Sequence, residues 1–403
     1  MAARNTASLL RMSRYDLSVT DIPVEDHQLG TPHGFEDLQK PAYRGMPYGI
    51  NILHAEPNIL DERLARDWAF TPMEHRMNII VPFWELSVFP RPWIPPLEAI
   101  DTVLAPSLHI KRVIEEASPE TPVLHYPQSV TVPETAPDRT RWGFRPGETV
   151  FLTAFDALSD VERKNPLGSL AAFRDAFADR DDVRLVLRMK NADRDPRYAG
   201  SVRLVREAGH ADSRVRIIEE PLPFDDLLSL YASADVLVSL HRAEGLGLVL
   251  MECMSLGTPV IATGWSGNMD FTDQSNSALV GYDMVPATGA LDHYLPEYVG
   301  TIAEWAEPHL DEAATWMRAL ADDHALVVHL GAKAREAMRE RRDLEGRLRV
   351  FDELAQLYEA GAIQTPRHFA AASYIRARRH EAYKRALSNP AKIVRGARRI
   401  LGI

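Results

Sequence analysis

Between Thr149 and Thr263 the chain repeats one pattern: a short apolar run, a polar turn, then a helical stretch. The runs are TVFLTAF (149–155), VRLVLRM (183–189), VRIIEE (215–220), DVLVSL (235–240) and PVIAT (259–263). Between them lie NPLGSLAAFRDAFA with Pro166 in its first turn, a helical stretch near 197–208, FDDLLSLYASA and LVLMECMSL. Strands that are apolar on both faces and alternate with helices call for a parallel sheet covered on both sides, a doubly wound α/β domain. The first half is less regular. Tyr48–Leu53, Met77–Val81, Thr102–Leu104 and Val123–Tyr126 read as buried strands and Ser107–Ala117 as a helix, joined by long loops rich in proline and aromatics. The polar, proline-rich stretch 133–148 reads as a linker, and from about Pro308 the chain reads as helical. These signals divide the chain into 1–140, 141–350 and 351–403.

Length and composition agree with that division. A chain of 403 residues with 45% hydrophobic and 26% charged residues is expected to form two or three soluble globular domains. No apolar run approaches the roughly 18 residues of a membrane span, and the first residues lack the apolar core of a signal peptide. The single cysteine, Cys253, permits no internal disulfide and sits in an apolar run, as expected of a buried thiol in a reducing cytoplasm. The net charge is −11, yet residues 367–403 carry ten Lys/Arg against the one acid Glu381. A globally acidic chain with a basic tail is not a general nucleic-acid binder. The tail is a candidate for peripheral contact with the cytoplasmic face of a membrane; the alternative is packing on the acidic body. The chain also opens on a helical stretch, 4–13, where a nucleotide-type domain opens on a strand and glycine-rich turn. Either this domain lacks them or the start at Met1 lies downstream of a longer reading frame.

Chemistry concentrates in SLHRAEGLGLVLMECMSLGTPVIATGWSGNMDF (239–271). Glu252 lies within an almost unbroken apolar run, where a carboxylate is costly unless something engages it. Strand DVLVSL ends, Gly245 and Gly247 allow close backbone approach, and a helix opens near Leu248 whose first N–H groups form an anion site. Gly257 and Pro259 close that helix. A phosphate or diphosphate is the natural occupant, with Glu252 reaching back to vicinal hydroxyls. The second loop adds Gly264, Ser266 and Gly267 as donors to the same crevice.

Glu244 and Glu252 with seven residues between them, EGLGLVLME, followed by GTPVIAT, resemble the retaining GT-B glycosyltransferases of the large E-x7-E family (glycosyltransferase family 4-like), across about residues 150–320. FDALSDVERKNPLGSLAAF, SLHRAEGLG, GWSGNMDF and WAEP resemble its bacterial polysaccharide-assembly branch, as PYGINILH, VPFWELSVFP and DTVLAPS do more loosely. The resemblance implies GT-B architecture, two Rossmann-like domains facing across a cleft. It implies a UDP- or GDP-sugar donor held by the C-terminal domain, a glycan or lipid-linked acceptor on the N-terminal domain, and no obligatory metal or other cofactor. It places Glu252 on the ribose, Glu244 beside the donor sugar as a catalytic residue with His241, and the amides of Gly245, Leu246 and Gly247 on the diphosphate. Asp156 stands where the family carries arginine, so Arg163 and Lys164 are expected to supply the cations, with Lys190 in reserve. Arg242, Ser266, Gly267 and Asn268 complete the donor side. Glu85 and His54 are candidates on the acceptor side, and His125 is a weaker one.

Competing readings use the same residues less well. DRDD (179–182) and DRD (193–195) match the acidic motif of metal-dependent GT-A enzymes only as strings. An inverting GT-B enzyme or a sugar-nucleotide epimerase would share the architecture but explains the glutamate pair less well. A catalytically silent donor-binding subunit of a glycan assembly complex remains the alternative of a different class.

Overall fold

The computed structural model describes residues 2–19, 35, 37–38, 48–60, 73, 76–288, 301–361, 373–378, 380–381 and 384. Four parallel strands form the first sheet in sequential order: β1 (Ile50–Leu53), β2 (Met77–Ile80), β3 (Thr102–Ala105) and β4 (Val123–His125). The expected first-half strands are all present, each trimmed by up to two residues or extended by one. Helix α1 (Ala2–Arg11) precedes them, and α2 (Leu108–Ala117) joins β3 to β4 with Ser107 as its N-cap.

The second sheet contains β5 (Thr149–Asp156), β6 (Val183–Lys190), β7 (Val215–Ile218), β8 (Val236–Ser239), β9 (Val260–Thr263) and β10 (Ala278–Val280), all parallel, in the order β10-β9-β8-β5-β6-β7. The order runs outward in both directions from the β5–β8 pair. That is the topological switch point of a doubly wound sheet, where a crevice opens beyond the carboxyl ends of the strands.

Strand alternation explains the continuous apolar runs. Phe151, Leu185 and Leu187 pack on one face of the sheet, with Phe173 of α4 (Pro166–Ala176), which follows the single turn α3 (Val161–Lys164). Val202 of α5 (Ala199–His210) joins the same core. Val150, Leu152 and Val186 pack on the other face, against α6 (Phe224–Ser233) and α7 (Leu248–Leu256). Met317 of α8 (Leu310–Asp322) lies in the first core, Ala334 and Met338 of α9 (His324–Arg341) in the second. Each such side chain contributes roughly 1.5–3 kcal/mol of burial. Residues Leu250–Leu256 are all buried, which accounts for a helix without a polar face. Gly257 ends it at φ +85°, as its sequence predicts. The expected start of α5 moves from 197 to 199 because Asp195 caps a separate turn, Pro196–Tyr198.

Two connections were not legible in sequence. Helix α10 (Leu344–Glu359) returns to the first sheet, where Phe351 and Leu354 pack with Leu9, Ile79, Leu104 and Tyr126; the division drawn at 350 falls inside it. An antiparallel pair, β11 (Tyr282–Pro286) with β12 (Glu304–Pro308), carries Trp305 into the core of the first half beside Trp84 and Ile110. Ile375 of the tail is buried in that same core, while the basic residues from 385 onward lie outside the described residues. Among the described residues no helix is long and apolar enough to cross a membrane.

Candidate functional site

The crevice at the switch point is built from three loops. The loop after β8 and the loop after β9 are joined by backbone. Glu244 N–H donates to Ser266 Oγ (2.9 Å) and Gly267 N–H donates to the Glu244 carbonyl (2.8 Å). A Cβ at Gly267 would overlap the Gly245 carbonyl, so only glycine lets the two loops meet. From the first half, Ser107 Oγ donates to the Gly245 carbonyl (2.7 Å), and the Trp84 carbonyl would lie 3.0 Å from a Cβ at Gly245. Asp270 accepts from Leu108 N–H at 3.0 Å, capping α2 across the two halves, and lies 3.1 Å from His125 Nε2.

The third loop, after β5, brings the cations. Asp160 caps α3 and Asn165 donates to the Leu240 carbonyl (2.9 Å), so Arg163 and Lys164 face the loop after β8. Lys164 donates to Glu244 Oε1, and Arg163 Nη1 lies 4.0 Å from the same oxygen while donating to the Ala243 carbonyl (2.7 Å). Burial alone would raise the Glu244 carboxyl; Lys164, Arg163 and His241 outweigh it and bring it down to about 2. Burial lowers the Lys164 ammonium against the pull of Glu244. Arg163 also pairs at 3.2 Å with Glu85, which joins this acceptor-side candidate to the donor-side cation.

Glu252 has the opposite environment. It is 5% exposed, no described residue hydrogen-bonds its carboxylate, and burial raises it to about 7. It lies in the second turn of α7, whose N-cap Gly247 has φ +96° and whose first turn receives no side-chain cap. The amides of Gly245, Leu246 and Gly247 have no backbone acceptor among the described residues. Amides without acceptors at a helix start and a carboxylate without donors one turn further on are complementary to one ligand that is anionic at one end and hydroxylated at the other.

The remaining expected residues are placed as follows. His241 has no exposed surface; Nδ1 meets Ser239 Oγ (3.0 Å) and Nε2 meets Asn268 Oδ1 (3.1 Å). Because Asn268 Nδ2 donates to the Thr263 carbonyl, its oxygen faces His241, so Nε2 carries the proton. Burial holds this imidazole below the usual histidine value. Both side chains support the loops from behind. Arg242 is held by a bidentate pair with Glu307 (2.6 and 3.0 Å) and stacks over Trp305. Lys190 is exposed, 3.6 Å from Asp156. His54, at the carboxyl end of β1, has no partner for either ring nitrogen among the described residues and is lowered to about 4 by burial. Among the described residues no cluster of three or more His, Cys, Asp or Glu could hold a metal.

Sequence reasoning passed over Ser107, Asp160, Asn165 and Asp270. The four non-glycine residues with positive φ among those described are Asp160, Asn165, Asn191 and Ser266. All follow the carboxyl ends of β5, β6 or β9, so backbone strain of roughly 1–3 kcal/mol per residue is concentrated at this edge. Asx and Ser at strand ends were the only available signal, and such residues are common in ordinary turns.

Residues 154–290 match the family model described as Glycosyl transferases group 1. Among solved structures, sucrose-phosphate synthase from Thermosynechococcus elongatus superposes with a TM-score of 0.58 at 18% identity, covering 78% of this chain and 75% of that one. The fold is GT-B. Anabaena Alr3699/HepE, solved in complex with UDP and glucose, gives a TM-score of 0.56 at 14% identity over 77% and 78% of the two chains. A D-inositol 3-phosphate glycosyltransferase of Corynebacterium diphtheriae is 36% identical over 98 residues, 24% of this chain and 22% of that protein. One from Salinispora tropica is 37% identical over 86 residues, 21% and 18% respectively. The alignments thus span about a fifth of the length of these curated relatives, and the GT-B likeness supplies the fold in which the crevice sits.

Proposed function

We propose that this protein is a retaining glycosyltransferase that moves a sugar from a nucleotide-sugar donor to a hydroxyl acceptor in cell-surface polysaccharide or glycolipid assembly. The observation that carries the reading is Glu252: a buried carboxylate without a partner among the described residues, one turn past an uncapped glycine-led helix start, at the switch point of a GT-B fold. The family match over 154–290 and the UDP-bound structural neighbour support it.

In this reading Glu252 accepts from the ribose hydroxyls and the 245–247 amides cradle the diphosphate. Lys164 and Arg163 neutralise the charge that grows on the leaving diphosphate as the sugar becomes oxocarbenium-like. Such preoriented donors and cations supply the electrostatic part of catalysis. Glu244 holds those cations in place beside the sugar. His241 and Asn268 are positioning residues for the two loops, and Glu85 couples the acceptor half to Arg163. The acceptor hydroxyl attacks from the face the diphosphate leaves.

The test is a thermal-shift screen of UDP-, GDP-, ADP- and dTDP-sugars on the full chain and on Glu252→Ala, followed by assays of sugar transfer and donor hydrolysis. A ligand at 100 times its Kd adds about 2.7 kcal/mol of stability. At least one donor is expected to raise the wild-type Tm by several degrees and to lose that effect in the variant. If no donor stabilises the wild type, the reading fails; binding without transfer or hydrolysis identifies the silent donor-binding subunit instead.

A further inference from the structure

Strand alternation puts Arg184, Val186 and Arg188 on one face of β6, the face that packs against α6 and α7. Arg184 pairs with Glu148 at 3.0 Å. Arg188 is 5% exposed and has no carboxylate within ion-pair distance among the described residues. Its Nη1 donates to the Met189 and Ile218 carbonyls (2.9 and 3.3 Å), its Nε is sealed without a partner, and its Nη2 has no described acceptor but is not sealed. A buried guanidinium without a counter-ion is costly unless something else engages it. Tyr231 of α6 is 3% exposed, and its hydroxyl likewise has no described hydrogen-bond partner and is not sealed. Glu252 and Arg188 both act electrostatically on that hydroxyl, so Tyr231 lies near both. Three largely buried side chains therefore keep unbonded polar ends along one face of the carboxyl edge. Helix α7 follows β8, and β5 separates β8 from β6. Two strand spacings are about 10 Å, which suits a nucleoside with its ribose at Glu252 and its base toward β6.

We propose that Arg188, with Tyr231, forms the nucleobase end of the donor crevice and selects a base with a carbonyl on its outer edge: uracil, thymine or guanine rather than adenine. The proposal rests on the nucleotide-sugar reading above. A guanidinium has donors only. It complements a ring carbonyl, whereas the exocyclic amino group of adenine would set donor against donor. Tyr231 both donates and accepts, and it spans the interval between base and ribose.

The experiment is calorimetric titration of UDP, dTDP, GDP and ADP into wild type, Arg188→Met and Tyr231→Phe. In wild type one keto-base diphosphate is expected to bind at least about tenfold more tightly than ADP, because a site of buried donors rejects an analogue that leaves them unpaired. In Arg188→Met the preference is expected to fall to within about twofold, because keto bases lose their donor while ADP loses the donor–donor clash and binds as tightly as in wild type or more tightly. Equal or tighter wild-type binding of ADP overturns the proposal, as does equal weakening of all four ligands in Arg188→Met. If Arg188→Met does not fold, the wild-type ranking decides: a keto-base preference that weakens in Tyr231→Phe supports the proposal, and its absence sinks it. Binding without base discrimination overturns this inference alone; no binding by any nucleotide overturns the donor-site reading with it.

Discussion

The two ends of the switch-point crevice treat charge in opposite ways. At the β5 end, Glu244, Lys164, Arg163 and Glu85 form a closed set of ion pairs on loops held by strained residues Asp160, Asn165 and Ser266. At the α7–β6 end, Glu252 and Arg188 are as deeply buried and make no ion pair among the described residues, with Glu220 and Asp156 acting on Arg188 only from beyond pairing distance. The first arrangement keeps its cations at the mouth of the loop whether or not a ligand is present. The second leaves its binding groups unsatisfied, and a ligand that satisfies them gains what the unliganded protein lacks. Burial itself does not mark the functional group; burial without a partner does.

The largest effect is expected from breaking the closed end. Glu244→Ala leaves Lys164 without its carboxylate and Arg163 with Glu85 alone, and removing one partner of a buried pair costs about 3–5 kcal/mol. Denaturant unfolding of Glu244→Ala, and of Glu244→Ala with Lys164→Met, measures it. The double variant is expected to recover much of the loss, and a single variant as stable as wild type would show that the pairing is dispensable.

At the open end the sign reverses. The Glu252 carboxyl, raised to about 7, favours the folded state below its ordinary value of 4.5 and loses that contribution as pH rises through 7. Glu252→Gln is therefore expected to make the unliganded protein more stable than wild type at pH 8, by up to about 3 kcal/mol, with no such gain near pH 4.5. The same substitution is expected to weaken donor binding about 100-fold. Stabilisation without loss of binding would separate Glu252 from the ligand.

A smaller effect follows from the same carboxyl. Ribose hydroxyls donate best to the ionised form, so nucleotide affinity in wild type is expected to rise several-fold from pH 6 to 8 with release of a proton. Titration in buffers of different ionisation enthalpy measures that proton, and Glu252→Gln is expected to abolish the pH dependence. The smallest effect tests the contact between halves. Asp270→Asn keeps an acceptor for Leu108 N–H but removes a negative charge from the start of α2, a loss of about 0.5–1 kcal/mol. Donor affinity is expected to fall no more than about fivefold, that energy expressed in binding. A loss as large as that of Glu252→Gln would move the decisive contact to the interface between halves.

Much of this was legible in sequence because it depends on local pattern. The apolar runs located the nine strands β1 to β9, and Gly257 located the end of α7. The spacing of Glu244 and Glu252 across a glycine loop placed both beside one helix N-terminus, because strand, turn and helix geometry are short-range. Strands β10 to β12 were not read, since YDMVP and EWAEP mix polar and apolar residues and ALV is three residues long.

What only the tertiary structure decided is who meets whom. That among the described residues Glu244 is paired and Glu252 is not, that Arg188 is buried without a carboxylate in contact while Arg184 on the same face has one, and that Glu85 reaches Arg163 all depend on which strands lie side by side. Strand order is set by packing of surfaces distant in the chain. A carboxylate in an apolar helix is visible in the sequence, but whether it has a partner is a property of the assembled crevice.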